Sequence, residues 1–302
     1  MMAGHMRELD FYLVDVFARE PLAGNPLAVV ADADRLDEST MRRIAREFNQ
    51  SETTFVMRAT RPDADWRLRF FTTTGDEVYG AGHNALGAWW WLAASGHLEK
   101  GTGRTRYAQE IGDRVLPVDL VFRDGQLAAV SMTQAPAAFG AIHHDRATLA
   151  AALGVDEGDL IADRLPPQIV STGAAHLLAG VRDRAAVARA RPSLERLASL
   201  VRAAGGQGCY LFCLDPVGRD ATAHARFFNP AIGISEEPAT GSAAGPLGAY
   251  LTKYGIAAEG DTMVVEQGDT IGRPSRIEVV VRGGHVQVSG EAIVVAEGKL
   301  RC

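Results

Sequence analysis

Two stretches of this chain follow one plan, and that repetition limits the possible folds more than any other feature. RFFTTTGDEVYGAGHNALGAWWWL (69–92) runs from an apolar strand through an acidic loop and a glycine-rich turn into an apolar helix. RFFNPAIGISEEPATGSAAGPLGAYL (226–251) does the same. Both open on Arg-Phe-Phe, and both close the loop on a small-Gly-polar triplet before an Ala/Gly-rich helix. The pairs Phe71 and Phe228, Leu36 and Leu194, Phe55 and Leu211, and Arg123 and Arg282 keep a near-constant separation. Four segments in one register indicate an internal duplication of an α+β unit. Two copies are too few for a solenoid. They suggest two halves related by a pseudo-twofold axis, with a cleft between them as the natural place for a small-molecule site.

The expected domains are residues 7–133 and 134–290, with a C-terminal strand, 291–302, that returns to the first. The boundary falls near TQAPAAFGAIHHD (133–145). In the first half, strands are expected at 11–18, 27–32, 51–59, 66–71, 115–125 and 126–132. Helices are expected at 37–48, from the spacing of Met41, Ile44, Ala45 and Phe48, and at 84–95. The second half repeats this order at 168–181, 193–204, 208–214, 224–228, 241–254, 276–284 and 285–290. Residues 101–114 and 156–168 read as loops. The helix through Ala85, Leu86, Ala88, Trp89, Trp90, Trp91 and Leu92 is apolar on every face, so it must be enclosed. A curved sheet wrapped around it would do that.

Composition excludes several function classes. A net charge of −6 and a pI near 5.8 argue against a general nucleic-acid or acidic-membrane binder. The longest greasy run, Ala85 to Ala94, is too short to span a bilayer, and MMAGHMRELD lacks a signal-peptide core. The expected location is the cytoplasm. Cys209, Cys213 and Cys302 suggest a reducing compartment, with the first two as core residues of a strand. No His, Cys or carboxylate cluster has metal-ligand spacing, so no metal is expected. Gly80-Ala81-Gly82-His83-Asn84-Ala85 fits the G-x-G-x-x-A dinucleotide pattern formally. A polar loop precedes it where the motif needs a strand, so the match is set aside.

Chemistry is best sought where the duplicated halves differ. Glu52 aligns with Gly208, and His83 aligns with Ser242. The second loop carries Glu236 and Glu237 before Pro238-Ala239-Thr240-Gly241-Ser242. Carboxylates and an imidazole suit proton transfer. Glycines Gly82 and Gly241, at the starts of two helices, would let backbone N–H groups hold a carboxylate or a developing oxyanion. Bland readings compete: Glu52 as an exposed strand-start residue, His83 and Ser242 as helix caps, and Glu236-Glu237 as a solvated acidic turn.

At these residues the chain resembles the PhzF-like proteins, the phenazine-biosynthesis isomerase and its relatives, within the diaminopimelate-epimerase-like fold. The motifs are D-x-F…GNPLAVV (15–30), NQSETTFV (49–56), RFFTTTGDEVYGAGHNALG (69–87), RFFNPAIGISEEPATGSA (226–243) and EQGDTIGRPSRI (266–277). The resemblance implies two similar halves, each a β-barrel rolled around a central α-helix. It also implies a site between them, no cofactor, and a homodimer. In the phenazine enzyme, which isomerises trans-2,3-dihydro-3-hydroxyanthranilate, a Glu of the SET motif is the acid/base, and Glu52 stands there. The family's AGH histidine falls on His83, and the serine of its ATGS motif on Ser242. Its acidic residue before PATGS is commonly Asp, where this chain has Glu237. Related racemases in this fold use a cysteine at each glycine loop, and none of the three cysteines falls there.

The resulting expectation is a cofactor-independent isomerase of a small, cyclic carboxylate substrate. Glu52, His83 and Glu237 are the catalytic candidates, and burial is expected to raise the pKa of Glu52. Ser242, Gly82 and Gly241 are the substrate-binding candidates. Two rival readings are an amino-acid epimerase without paired cysteines and a non-catalytic small-carboxylate-binding protein.

Overall fold

The computed structural model describes residues 8–99 and 101–302. Arg7, the expected start of the first domain, lies outside the described residues. The chain divides into two compact units, one running to Met132 and including Gly290–Cys302, the other Thr133–Ser289.

The first unit contains β1 (Glu8–Val16), β2 (Asn25–Val30), α1 (Glu38–Phe48), β3 (Glu52–Arg58), β4 (Trp66–Thr72) and β5 (Glu77–Val78). It continues with α2 (His83–Ala94), β6 (Gly103–Ile111), β7 (Arg114–Arg123), β8 (Gln126–Gln134) and the C-terminal strand Ala292–Arg301. The sheet order is C-terminal strand, β1, β2, β3, β4, β6, β7, β8. The pairs β2/β3 and β4/β6 are parallel and the rest antiparallel. Short β5 lies against the end of β4.

The second unit contains β9 (Ala138–Ile142), α3 (Arg146–Leu153), β10 (Gln168–Ser171), β11 (Ala175–Gly180), α4 (Arg184–Arg189), α5 (Leu194–Ala203) and β12 (Gly208–Cys213). Then follow β13 (Ala223–Asn229), β14 (Ile234–Glu237), α6 (Gly241–Lys253), β15 (Thr262–Gln267), β16 (Ser275–Arg282) and β17 (His285–Gly290). Its order is β9, β10, β11, β12, β13, β15, β16, β17, with β11/β12 and β13/β15 parallel. This is the pairing scheme of the first unit, strand for strand.

Each sheet curls around one apolar helix. From His83 to Leu92 every residue of α2 is buried except Trp90, which is half-buried. The helix touches β1, β2, β3 and the C-terminal strand, while Trp89 stacks on Tyr107 and donates to Gln109 of β6 at 2.9 Å. Close approach needs small residues: a Cβ on Gly87 would come within 2.6 Å of Leu27 and 2.7 Å of Val16. In the second unit α6 packs on β10, β11 and β16, and a Cβ on Gly248 would meet Val279 at 2.4 Å. Both β7–β8 and β16–β17 turn through two residues at positive φ, Asp124-Gly125 and Gly283-Gly284, the geometry of a type I′ hairpin.

Several elements differ from the sequence reading. Residues 101–114 are not a loop; they supply β6, whose side chains alternate too little in polarity to reveal a strand. The 133–145 linker contains β9, all of whose residues are exposed. Helices α3 and α4 and strand β15 were not anticipated either. Strand β15, TMVVEQ, lacks alternation because it is buried along nearly its whole length.

Candidate functional site

In the first unit the chain delivers Ser51 and Glu52 from the end of α1. Asp37 Oδ1 accepts from Thr40 N–H at 2.8 Å to start that helix, and Asn49, at φ 52°, ends it in the left-handed region. The chain then turns into β3, whose first residue is Glu52. His83 arrives from the other side of the unit, through the β4–β5 hairpin and the glycine turn. It is the first residue of α2 and is 8% exposed. Its Nε2 lies 3.3 Å from Ser51 Oγ, which in turn lies 3.5 Å from Asn25 Oδ1. Asn25 opens β2 after a tight turn held by buried Asp15, whose Oδ2 accepts from Leu22 N–H at 2.6 Å. The first unit thus brings Glu52, Ser51, Asn25 and His83 to one end of its sheet.

Burial pushes the His83 imidazole down to about 4. At neutral pH it is therefore an uncharged ring that donates or accepts a hydrogen bond. His83 does not cap its helix. Asn84 does: its Oδ1 accepts from Gly82 N–H and Ala85 N–H, both at 2.7 Å, and its Nδ2 donates to Gly80 O at 2.9 Å. Asn84 therefore takes up the N–H of Gly82 itself. Gly82 serves the turn.

In the second unit Glu237 ends β14, and its Oε2 accepts from Thr240 Oγ1 at 2.7 Å. Buried Gln267 braces this loop. It donates to Glu237 O at 2.7 Å and to Thr240 Oγ1 at 3.1 Å, and accepts from Thr240 N–H at 3.2 Å and Tyr210 OH at 2.8 Å. Burial, helped by the nearby Glu237 carboxylate, keeps the Tyr210 hydroxyl protonated far above its ordinary value. Thr240, not Ser242, is the residue before the helix. The Thr240 carbonyl accepts from Ala243 N–H and Ala244 N–H, which leaves the Gly241 and Ser242 N–H groups at the tip of α6. The Gly241 carbonyl accepts from Gln134 Nε2 at 3.0 Å. Glu236 is not part of a solvated turn: the guanidinium of Arg226 grips both its oxygens, at 2.9 and 2.7 Å.

Gly208 stands where the first unit has Glu52. A Cβ there would lie 2.6 Å from the Phe227 ring and 2.9 Å from the Phe228 carbonyl oxygen. The second unit is packed shut at this position, so it has no room for a second carboxylate. The two thiols are equally removed from chemistry: Cys209 and Cys213 are buried, and burial pushes them up to about 12 and about 11. Among the described residues no group of three or more His, Cys, Asp or Glu side chains could hold a metal ion, and no helix is long and apolar enough to cross a membrane. A hollow of about 610 Å³ in the second unit, lined by His143, Thr148, Arg196 and Ser199 among others, contains none of the candidate residues.

Asn25, Ser51, Asn84, Thr240 and Gln267 were not singled out from sequence. All five lie inside the motifs quoted above. Asn84, two residues after Gly82, had a readable signal, since Asn side chains commonly accept from nearby backbone N–H groups.

The curated relatives of this chain are named isomerases, which makes it an isomerase acting on a small molecule. The chain belongs to the PhzC-PhzF family of phenazine biosynthesis-like proteins, which matches residues 14–298. It is 36% identical to the trans-2,3-dihydro-3-hydroxyanthranilate isomerase of Pseudomonas aeruginosa, over 96% of this chain and 98% of that one. Among solved structures, a PhzF-family phenazine biosynthesis protein of Bacillus anthracis superposes with a TM-score of 0.88 at 28% identity, covering 98% of this chain and 99% of that one. At the level of fold alone, a hydroxyproline epimerase of Agrobacterium vitis superposes with a TM-score of 0.61 at 14% identity, covering 98% and 91%. The α+β, diaminopimelate-epimerase-like fold expected from the resemblance is the fold of this chain.

Proposed function

We propose that this isomerase moves a proton between carbons of a small, cyclic carboxylate related to trans-2,3-dihydro-3-hydroxyanthranilate, without a cofactor, and that Glu52 carries the proton. The observation that carries the reading is the cluster in the first unit. A carboxylate at the start of β3 follows directly on Ser51, whose hydroxyl meets the neutral ring of His83.

In this reading the Glu52 carboxylate takes a proton from carbon and becomes a carboxylic acid. The electron pair left behind delocalises into the adjoining unsaturated system and then bonds to the returning proton at another carbon. Glu52 ends as a carboxylate, and nothing is oxidised or reduced. His83, and Glu237 steadied by Thr240, are assigned hydrogen bonds to substrate amino or hydroxyl groups. The substrate carboxylate is assigned to Ser242 and to the N–H groups of Gly241 and Ser242, at the positive end of a helix dipole. Gly208, packed under Phe227, supports one proton shuttle over a two-base epimerase with matched carboxylates.

Incubation with trans-2,3-dihydro-3-hydroxyanthranilate, followed by ultraviolet absorbance and mass spectrometry, tests the substrate class. The expected result is a product of unchanged mass that carries one solvent deuteron when the reaction runs in deuterium oxide. Exchange of α-protons of free amino acids, with no turnover of the dihydroaromatic acid, would replace this reading with the epimerase. Binding of the acid with neither turnover nor exchange would replace it with a non-catalytic carboxylate binder.

A further inference from the structure

The Arg-Phe-Phe that opens each of the two repeated stretches has no part in the chemistry above, yet its arginine makes the same contacts twice. Arg69 Nε and Nη2 grip the two oxygens of Glu77, each at 2.7 Å. Arg226 grips Glu236 in the same way. Each guanidinium stacks over the phenylalanine two residues on, Arg69 over Phe71 at 5.1 Å and Arg226 over Phe228 at 4.9 Å. All four charged side chains are at most 14% exposed. Each glutamate sits in the short strand that leads to a helix start: Glu77 of β5 precedes Gly80–His83, and Glu236 of β14 adjoins Glu237.

Each arginine also reaches a second element. Arg69 Nη2 donates to Glu38 of α1 at 2.8 Å. Arg42 and Arg46 of α1 add bonds to the carbonyls of Gly75 and Thr74 in the loop before β5. Helix α1 leads into Ser51 and Glu52, whereas the loop leads into His83. The arginine network therefore ties together the two segments whose ends carry the first unit's candidate groups. In the second unit Arg226 Nη1 donates to the carbonyls of Val187 and Ala190, both at 2.9 Å, anchoring β14 to the end of α4. Neighbours along a strand point to opposite faces. Fixing Glu236 on one side therefore fixes Glu237 toward the other, where Thr240 meets it.

We propose that Arg69 and Arg226 are positioning residues for the isomerisation: each sets where its glycine loop presents His83 or Glu237. The inference rests on the catalytic reading of those residues and of Glu52. The planar fork is essential because it fixes direction as well as charge; a lysine in its place would keep the charge and lose the direction.

The test compares Arg69→Lys and Arg226→Lys with Arg276→Lys, which weakens an ion pair to Glu266 and Asp220 outside both loops. Glu77→Gln and Glu236→Gln loosen the same clamps from the other side and serve if a lysine variant does not fold. On the substrate that wild-type turns over, the clamp variants should lose about tenfold or more in kcat, with KM within about twofold, while Arg276→Lys keeps both. Two readouts do not depend on activity. The His83 ring, followed by NMR, should titrate closer to 6.5 in Arg69→Lys than in wild-type. Amide hydrogen exchange should quicken over residues 234–242 in Arg226→Lys. Folded clamp variants with wild-type kcat, His83 titration and exchange would overturn the proposal. If wild-type turns nothing over, the catalytic reading falls, and titration and exchange still decide whether the arginines position the loops.

Discussion

His176 offers a quantitative test of the interior of the second unit. It lies in β11, is 2% exposed, and meets the ring of Phe227 edge-on at 5.0 Å. Neither of its ring nitrogens has a hydrogen-bond partner. Burial lowers its pKa to about 4, against 6.5 for an exposed histidine. Between those values the unfolded chain binds a proton that the folded chain refuses. Stability is therefore complete above about 6.5 and is lost as pH falls toward 4. At about 1.4 kcal/mol per pH unit, the gap comes to about 3 kcal/mol. His83, lowered to about 4 by the same cause in the first unit, contributes a slope of the same sign there. Pairing of β11 with β12 puts His176 opposite Gly208, the place that Leu27 holds in the first unit. His176→Leu should therefore fit. It should raise stability at pH 7 by about 1–2 kcal/mol, because two unsatisfied polar atoms give way to an apolar group. It should also flatten the second unit's loss of stability between pH 7 and pH 4.5. Guanidinium denaturation at stepped pH, with amide exchange to separate the units, measures both. An unchanged pH slope, or a variant less stable at pH 7, would refute the reasoning.

Two further substitutions probe the geometry around the site. Asn84→Ala removes the side chain that caps α2 and pins the Gly80–Gly82 turn, and should cost about 1–2 kcal/mol in a thermal or chemical melt. Gly208→Ala forces a methyl group to within 2.6 Å of Phe227 and 2.9 Å of a backbone oxygen, and should cost about 1–3 kcal/mol, whereas the same change at open Gly158 should leave the melting temperature unmoved.

The duplication was legible because it repeats whole segments, and no local propensity has to be right for a register to show. The enclosed helices were legible for a similar reason, since a helix with Trp89, Trp91, Leu86 and Leu92 on different faces has only one kind of place to go. Strand β6 was hidden because its polar residues pair with charges: Arg104 and Arg106 both reach Asp119 on the neighbouring β7, so the strand reads as a loop. Exposed β9 was hidden because it buries too little to impose a pattern. At the candidate site the asymmetry of Glu52 against Gly208 was readable, but its cause, the Phe227 ring over Gly208, needs coordinates. The neutral state of His83 was likewise beyond the sequence, because burial at a helix start depends on how tightly the β1–β3 strands close around it.

The central claim is that Glu52 carries the proton. Glu52→Gln keeps the shape of the side chain and removes its basicity. After circular dichroism and a melt show it folded, the variant is incubated with the substrate that wild-type turns over, in deuterium oxide, and turnover and deuterium incorporation are followed together. Both should fall by at least about 10³-fold, while a dihydroaromatic or hydroxyanthranilate carboxylate still binds within about tenfold of wild-type. Turnover with solvent deuterium entering the product at near wild-type rate would contradict the claim.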